Sequence, residues 1–422
     1  MFVPENRAYL DRLFSERSPE DLALARRGSA QRLRDLGFLF PALPSHFRLD
    51  RATHDELRSA SARLVSAHRK VMAHVCSSLS PGELAETFHI PAAMAGHIDC
   101  GRMAEGLALG RADIIPTDTG HAFCELNTFS GVGGGEAQHS ARLHAELLGC
   151  PVAGASPFLD LARHYLALCT RLGLERLVIL DSVRHARLGY GRDQPLADCL
   201  RSMAPDLDVV YCDETTYRPE WLRAPHAGRI LVHRLVTFAD TDDDGAFIKA
   251  VDDSGAVVTS MFEAELGMHR KWFSLLCDTR THHLLDAEER ETVRRYVPES
   301  FDLGPDNLDE ALAARAEYVF KHSYSYGGDG ILIGAEHSAR VLRDRVLADG
   351  AGAWTCQRAL RADTLDLPAG DGTVAAFRFV LGVYAYGDRT SGVLVRGSAD
   401  SRVVNASRGG ISWAFTDGRD SA

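Results

Sequence analysis

The chain has 422 residues, enough for roughly two or three domains, and its 45% hydrophobic and 25% charged residues are ordinary values for globular proteins. Acidic residues outnumber Lys and Arg by 58 to 47, and the net charge of −11 argues against nucleic acid or an anionic membrane surface as the main partner. The nine cysteines are scattered and form no C-x-x-C pair, and the sequence shows no signal-peptide pattern. No apolar run approaches the roughly 20 residues of a membrane-spanning helix. We therefore expect a cytoplasmic protein with reduced thiols.

The pattern of apolar residues predicts helices early in the chain and strands later. Three- and four-residue spacing predicts a helical region over residues 1–95, and residues 108–128 then change to strand composition. Residues 174–237 alternate between strand and helix, which predicts a small lobe with a parallel sheet. Helices are predicted over 263–277 and 286–296, and the last third of the chain is mostly strand-like.

A β-hairpin is predicted between two extended runs, 111–117 and 121–127. The residues between them, Asp118-Thr119-Gly120, are typical of a three-residue loop with glycine in the left-handed position. Residues that lie opposite each other then share one face of the sheet. That register places four polar side chains on one face, in the facing pairs Asp113–Glu125 and Arg111–Asn127.

Two carboxylates and an amide oxygen on one face form an oxygen-rich site for a hard cation such as Mg²⁺, for which Mn²⁺ can substitute. The neighbouring Arg111 guanidinium suits phosphate oxygens. The alternative is a solvated hairpin with a surface ion pair, and a four-residue loop would turn Asp113 to the face away from Glu125. Two such pairs in matched register favour a metal and phosphate site with Asp113, Glu125 and Asn127 as the metal ligands.

A second candidate is the stretch EYVFKHSYSYGGDGILIG at residues 317–334. It is neither a Walker A loop nor a dinucleotide fingerprint, because its lysine precedes the glycines and a strand follows them. A glycine-rich β-hairpin, here called the flap, can instead close its backbone N–H groups over phosphates, within reach of Lys321. The alternative is a glycine-rich surface hairpin. The candidate nucleotide-binding residues of the flap are Lys321, Tyr326, Gly327, Gly328 and Gly330.

Two later stretches carry further candidates. WTCQRAL at residues 354–360 could present a backbone donor and acceptor to an adenine edge, with Gln357 beside it, or could be an ordinary core strand. Arg396 and Asn405 each end a predicted strand, in SGVLVRGS and RVVNAS. Arg396 is either an anion clamp or an ordinary surface arginine.

Taken in order, these pieces resemble the ATP-grasp superfamily, in particular glutathionylspermidine-synthase-like ligases and related circularly permuted ATP-grasp proteins. The metal and substrate segment of that family has R-x-D, eleven residues, then E-x-N with a serine three positions later. This chain matches it with Arg111, Asp113, Glu125, Asn127 and Ser130. The order is also diagnostic, because the metal-bearing hairpin precedes the lysine-glycine flap.

Weaker matches and departures accompany this resemblance. ELGMHRKWFSLLCD resembles the lysine-bearing helix of the family, which makes Lys271 a candidate phosphate contact. His322 replaces the proline that usually follows the flap lysine, and a glycine run follows Ser130. The glutathione-specific positions of the family are therefore not implied for this chain.

The resemblance implies an α/β (α+β) ATP-grasp fold in circularly permuted order. It divides the chain into an N-terminal helical region at 1–95, a metal-binding hairpin with the following helix at 96–150, a small Rossmann-like parallel-sheet lobe at 151–262, and the lysine helix, flap, hinge strand and C-terminal sheet at 263–422.

The resemblance also implies an enzyme, an ATP-dependent carboxylate–amine ligase. ATP would convert a carboxylate to an acyl phosphate, and an amine would displace the phosphate to give an amide, on amino-acid or short-peptide substrates of specialised metabolism. Such a transfer needs charge neutralisation and positioning. The implied ATP contacts are Lys271, Lys321, Tyr326, Gly327, Gly328, Gly330 and Gln357. The implied catalytic residues are Arg111, Ser130 and Arg396, and the implied substrate contacts are Ser130, Gly133, Gly134, Arg396 and Asn405.

Two rival functions remain open at this stage. One is a phosphotransferase that stops after phosphorylation, and the other is a non-catalytic nucleotide-binding or assembly protein. Intact Asp113, Glu125, Asn127 and Lys321 argue against the second, because a decayed site would lose some of them. The expected partners are a small-molecule acid and an amine, without nucleic acid or membrane, and a homodimer is the default oligomer.

Overall fold

Three β-sheets organise the described part of the chain in the computed structural model. The structure describes residues 2–35, 38, 42–99, 101, 109–132, 134–148, 156–187, 193–223, 228–325, 328–368, 374–387, 389–405 and 410–416. In chain order, the described α-helices α1 to α15 span Phe2–Glu16, Pro19–Asp35, Arg51–Ser77, Pro81–Phe88, Ala92–His97, Gly135–Leu148, Pro157–Leu172, Val183–Arg187, Gln194–Met203, Ala246–Asp252, Phe262–Gly267, Lys271–Cys277, Ala287–Tyr296, Leu308–Ala313 and Ala339–Asp349. The described strands β1 to β15 span Ala42–Arg48, Leu109–Thr117, Gly120–Asn127, Arg176–Asp181, Asp208–Asp213, Ile230–Arg234, Val257–Val258, Ser300–Asp302, Tyr318–His322, Ile331–Ile333, Trp354–Arg358, Thr364–Pro368, Val374–Tyr386, Arg389–Ser398 and Ile411–Thr416.

The largest sheet joins the two ends of the chain. Its strand order is β1-β15-β14-β13-β2-β3, with β12 paired to β13, and only β1 and β15 among these described strands pair in parallel. The sequence pattern predicted helices throughout residues 1–95, so strand β1 corrects that expectation. Its partner β15 comes from the other end of the chain, and such a long-range pairing overrides local propensity.

Helix α3 covers the apolar face of this large sheet. Asp50 caps the helix, because its Oδ1 accepts a hydrogen bond from the Thr53 backbone N–H at 2.8 Å. Apolar residues recur along one stripe of the helix and pack on alternate residues of the strands. The buried cluster that they form includes Leu57, Leu64, Val71, Ile114, Leu381 and Val395. The other face of the hairpin strands is thereby left for polar side chains.

The second sheet has one apolar and one polar face. Its strand order is β10-β9-β11-β8, and all of its described pairs are antiparallel. Phe320 and Trp354 point to one side and pack against helices α14 and α15. Because successive strand residues alternate between faces, Lys321, Thr355 and Gln357 point to the opposite side. That polar side adjoins strand β3 of the large sheet.

The third sheet is parallel, which confirms the predicted alternation of strand and helix. Its strand order is β5-β4-β6-β7. The chain therefore goes from β4 to β5 on one side and returns to β6 on the other side of β4. A crevice forms at the carboxyl ends of the strands where the order reverses in this way, and it is the usual ligand position in such sheets. Here the reversal lies between β4 and β6.

Some expectations from the sequence pattern are corrected by the structure. Residues 402–405 form no strand, so Asn405 lies in a loop and does not end a strand. The predicted helix over 263–277 is two helices, α11 and α12, separated by residues 268–270. All seven cysteines within the described residues are free. None of the described helices combines the length and the apolar character needed to cross a bilayer.

Candidate functional site

Strands β2 and β3 form the predicted hairpin and bring its polar residues together. Asp113 pairs with Glu125, and Arg111 pairs with Asn127, so both predicted facing pairs are confirmed. Arg111 and Asp113 are buried, whereas Glu125 and Asn127 are half-buried. The hairpin therefore presents two inner charged groups and two groups that a ligand can reach.

The loop that was expected to set this register is different. Thr117 pairs with Gly120, so the turn contains two residues, and the predicted three-residue loop is wrong. Between the turn and the polar pairs the register shifts by one, because Cys124 is an extra residue in β3. Such a β-bulge changes which residues face each other. Here the bulge restores the facing pairs that the longer loop would have produced.

Asp113 is the centre of a buried charged cluster. Its Oδ1 accepts a hydrogen bond from Arg111 Nε at 2.7 Å, and its Oδ2 accepts one from Arg396 Nη2 at 2.8 Å. Asn127 Nδ2 also donates to Asp113 Oδ2, at 3.3 Å. Burial acts to raise the pKa of Asp113, but the two guanidiniums outweigh burial and hold the pKa below its usual range. The ionised carboxylate therefore fixes both arginines on the polar face.

This cluster requires a glycine on the neighbouring strand. Gly382 of β13 pairs with Asp113, and a Cβ at Gly382 would lie 2.6 Å from Arg111 Cδ and 2.9 Å from Asp113 Oδ1. Arg396 contributes from β14, where its Nε is buried without a hydrogen-bond partner among the described residues. Because an unpaired buried donor is costly, this Nε is suited to an anionic ligand on the polar face.

Glu125 and Asn127 are the members of the predicted metal set that remain open to a ligand. The Glu125 side chain is 31% exposed, and its Oε1 lies 3.5 Å from Arg270 Nη2. No group of three or more His, Cys, Asp and Glu side chains that could hold a metal occurs within the described ranges. Mg²⁺ usually takes only one or two protein carboxylates and completes its shell with phosphate oxygens and water. Glu125 and Asn127 fit that role, whereas the arginines already engage Asp113.

Lys321 reaches the hairpin from the polar face of the second sheet. Its Nζ donates to the Cys124 carbonyl oxygen at 2.8 Å and to Gln357 Oε1 at 2.7 Å. Gln357 in turn donates to Ser300 Oγ at 3.2 Å. Burial lowers the pKa of Lys321. The structure thus joins two predicted ATP contacts, Lys321 and Gln357, and places them beside the residue that precedes Glu125.

Helix α12 adds two basic residues, one of which the sequence interpretation missed. Lys271 is the first residue of the helix, and its Nζ lies 2.7 Å from Asp302 Oδ2 of strand β8. The preceding Arg270 donates to the His322 carbonyl oxygen at 2.6 Å and also approaches Glu125. Arg270 therefore connects the flap to the hairpin. The sequence signal for Arg270 was its position next to Lys271, because the two residues form a basic pair where an apolar helix begins.

The predicted flap is a β-hairpin whose strands β9 and β10 pair with Ile331 opposite Lys321. Gly328 and Gly330 have φ values of 81° and 64°, a region that favours glycine. A Cβ at Gly330 would also lie 2.6 Å from the His322 Cβ. Two other predicted flap contacts, Tyr326 and Gly327, lie outside the described residues.

A narrow pocket lies where the large and second sheets meet. Glu125, Lys321 and Gln357 line it, together with His68 of helix α3. Its free volume is about 10 Å³, which is room for roughly one water molecule. The pocket in this form has no room for a ligand as large as a nucleotide. A larger pocket of about 400 Å³ adjoins residues 358–361, which begin at the last residue of β11 and lead back to the large sheet.

Ser130 lies beyond the hairpin, in a short turn that contacts the third sheet. Its backbone N–H donates to Ser260 Oγ at 2.7 Å, and its Oγ lies 3.3 Å from Thr259 Oγ1. The Ser130 side chain is buried. The turn therefore connects the large sheet to the segment that follows β7.

The other predicted substrate contacts are less informative. Gly134 packs against helix α7, because a Cβ there would lie 3.2 Å from a ring carbon of Phe158, and its φ is 131°. Helix packing thus accounts for a glycine at position 134. Gly133 lies outside the described residues, and Asn405 lies in the loop between β14 and β15.

A fully buried ion pair below the Ser130 turn was missed by the sequence interpretation. Arg234 Nη1 lies 2.8 Å from Glu265 Oε1, and neither side chain has any exposed surface. Arg234 Nε also donates to the Ser260 carbonyl oxygen at 2.5 Å. The signal was an arginine at the end of the buried strand ILVHR, because a charge at that position needs a partner or a ligand.

Comparisons with known proteins show the fold. No family model matches the sequence, and no curated protein matches it. The structure of a glutathione synthetase like-effector (GSS30) from Globodera pallida is similar to that of this chain, with a TM-score of 0.63 and 11% sequence identity. The alignment covers 95% of this chain and 98% of the effector chain. The alignment with a protein described as a gamma-glutamylcysteine synthetase from Methylobacillus flagellatus KT covers 81% of this chain and 84% of that protein. Its TM-score of 0.38, at 10% identity, is too low to indicate a shared fold. The chain is thus a mixed α/β protein with a fold similar to that of the glutathione synthetase-like effector.

Proposed function

We propose that the chain is an ATP-dependent carboxylate–amine ligase of the ATP-grasp type, in circularly permuted order. The observation that carries this proposal is the approach of Lys321, from the second sheet, to the hairpin residue next to Glu125. The buried cluster of Arg111, Asp113 and Arg396 lies on the same face of the large sheet as Glu125. Similarity in fold to a glutathione synthetase-like protein supports the same reaction class. The division of the chain at residues 95, 150 and 262 belongs to this proposal.

ATP would bind between the large and second sheets. Lys321 would exchange its present acceptors for phosphate oxygens, and Lys271 would neutralise a further phosphate. The backbone N–H groups of Gly328 and Gly330 lie in the flap and would cover the phosphates. The adenine would lie at the hinge that follows Gln357, where a pocket already exists. Opening of the narrow pocket is needed for this binding mode.

Charge on the transferring phosphoryl group would be stabilised by the buried cluster. Asp113 holds Arg111 and Arg396 in place, so their remaining N–H groups point at a fixed position. Glu125 and Asn127 would hold Mg²⁺, which supplies further neutralisation of phosphate charge. Because the protein groups are already oriented, little reorganisation is needed at the moment of transfer.

The acid substrate would lie between this cluster and Ser130. Its carboxylate oxygen attacks the terminal phosphorus of ATP, and ADP leaves, which gives an acyl phosphate. An amine then attacks the acyl carbon, and phosphate leaves. Closure of the flap would keep water from hydrolysing the acyl phosphate. We propose an amino acid or short peptide as the acid.

The experiment incubates the purified chain with Mg-ATP and a panel of amino acids, alone and in pairs, and measures ADP and phosphate. We expect release only when an acid and an amine are both present. Glu125→Ala and Lys321→Ala should each lower turnover by about 100-fold or more, because each removes a group from the phosphate site. Lys249→Ala is the matched control, since Lys249 of helix α10 forms a partly exposed ion pair with Asp253, directly after the helix.

Three results would count against the ligase. AMP and pyrophosphate as products would indicate adenylation, and ADP release with a phosphorylated acid but no amine requirement would indicate the phosphotransferase. Normal turnover in Glu125→Ala or Lys321→Ala would remove the site assignment. Thermal melting of each variant shows whether a loss of turnover comes from unfolding.

A further inference from the structure

The crevice at the carboxyl ends of the third sheet holds a histidine and a carboxylate that the proposed function has not used. Helix α8 follows β4 and carries His185, and the segment after β6 carries Asp240. These two segments flank the place where the strand order of the sheet reverses. Ligands usually bind at such a reversal in parallel sheets.

His185 and Asp240 form a pair with different exposure. His185 Nε2 lies 3.8 Å from Asp240 Oδ2, and their side chains are 24% and 1% exposed. Ser182 connects them, because its Oγ donates to Asp240 Oδ2 at 3.3 Å and accepts from the His185 backbone N–H at 3.2 Å. The Thr237 backbone N–H also donates to Asp240, at 2.7 Å. A buried carboxylate held in this way stabilises the positive charge of an imidazole that accepts a proton.

This pair lies directly beside the turn that carries Ser130. Gly131 is exposed, and a Cβ at Gly131 would lie 3.5 Å from the Cε1 atom of the His185 ring. The ring therefore lies next to Gly131. A substrate that contacts Ser130 in this crevice comes within reach of His185.

We infer that His185 is the catalytic base that removes a proton from the attacking amine, with Asp240 as the residue that positions it. This inference rests on the proposed ligase function. An ammonium group cannot attack, so it first gives one proton to His185. The C–N bond then forms, the C–O bond to phosphate breaks, and a second proton of the amine nitrogen leaves with the phosphate as hydrogen phosphate. The amide keeps the third, and His185 releases its proton to solvent.

Other charged groups also face this histidine. Arg184 Nη1 of the same helix lies 3.5 Å from Asp240 Oδ1 and shares that carboxylate with His185. Glu214, from the segment after β5, accepts from the Val183 backbone N–H at 3.0 Å at the start of the helix. Asp240 and Glu214 together outweigh Arg184 in charge, so the charged groups around this histidine are negative on balance.

The test compares two nucleophiles, hydroxylamine and an amino-acid amide, with the same acid and Mg-ATP. Hydroxylamine is mostly unprotonated at neutral pH, so it traps the acyl phosphate as a hydroxamate without a base, whereas the amino-acid amide is mostly protonated. Because roughly a tenth of such an amine is already unprotonated at neutral pH, we expect His185→Gln to lower amide formation by about 10-fold while hydroxamate formation falls far less. The defect should shrink as the pH rises and the amine loses its proton in solution. His283→Gln, at an exposed histidine outside the crevice, is the matched control.

Each outcome has one meaning. Equal rates in wild type and His185→Gln, or an equal loss with both nucleophiles in a folded variant, would overturn the assignment of His185. If the variant does not fold, the wild-type pH profiles decide, because a base adds an ionisation to the amine reaction that the hydroxylamine reaction lacks, and its absence overturns the assignment. A wild-type protein that forms no hydroxamate with any acid of the panel refutes the ligase proposal itself.

Discussion

Gly382→Ala tests the geometry of the buried cluster with a single methyl group. The added Cβ would lie 2.6 Å from Arg111 Cδ, whereas ordinary contacts begin at 3.4 Å, so the Arg111 side chain has to move. Such a movement would displace Arg111 Nε from Asp113 Oδ1, to which it donates a hydrogen bond 2.7 Å long. Overpacking of this kind costs about 1–3 kcal/mol of stability. A displacement of about 1 Å in a positioned catalytic group can cost about 100-fold in rate.

The assays are urea denaturation, which gives the free energy of unfolding, and ADP release with the acid and amine of the panel. Gly304→Ala is the matched control, because apart from its chain neighbours no described residue has an atom within 4 Å of an added Cβ there, and we expect a change within about 0.5 kcal/mol. Wild-type stability and turnover in Gly382→Ala would refute the close packing of Gly382 on Arg111. A loss of stability with unchanged turnover would show that Arg111 does not act in the reaction.

Three further predictions concern buried groups elsewhere. Glu265→Ala removes the carboxylate partner of the fully buried Arg234, so urea denaturation should show that the free energy of unfolding falls by about 3–5 kcal/mol. Glu291→Ala, at an ion pair on the exposed surface, is the control and should leave stability nearly unchanged. Similar losses in the two variants would contradict this prediction. Burial lowers the pKa of His269 from 6.5 to about 3, so on acidification the unfolded chain binds a proton that the folded chain does not. Stability that is present above pH 6.5 is therefore lost as the pH falls towards 3. The His269→Asn variant should lose less stability than the wild type between neutral and acidic pH, and an equal loss in both would count against this prediction. Burial raises the pKa of the Cys124 thiol to about 12, so this thiol should not react with iodoacetamide in the folded protein near neutral pH. Mass spectrometry measures the labelling. Rapid labelling would contradict the burial of Cys124 in the bulge.

The hairpin shows what the sequence could predict and what it could not. The pairs Asp113–Glu125 and Arg111–Asn127 were predicted from a three-residue loop, and they occur although the loop has two residues. The extra residue Cys124 compensates, and nothing in the local pattern distinguishes a longer loop from a shorter loop with a bulge. Polar residues on alternate positions were therefore a reliable guide to the shared face, whereas the turn was not.

Contacts between distant segments account for the other differences. Arg270 and Gly382 matter because each touches a residue more than a hundred positions away, and a single sequence contains no record of that proximity. Strand β1 was hidden for the same reason. The parallel sheet was predicted correctly because its strands are short, apolar and separated by recognisable helices, so the information is local.

The parallel pairing of β1 with β15 has a consequence for how the protein is made. Leu43 pairs with Trp413 and Phe47 with Phe415, so β1 cannot pair until residues 411–416 have been synthesised. Folds with such distant pairings close slowly, and unpaired strand edges promote aggregation in the interval. Chains that end before residue 411 lack this partner permanently, and they leave β1 and β14 each with an open edge. Translation stalling or proteolysis that removes residues 411–416 should therefore yield insoluble protein, although the candidate site lies far upstream in the sequence.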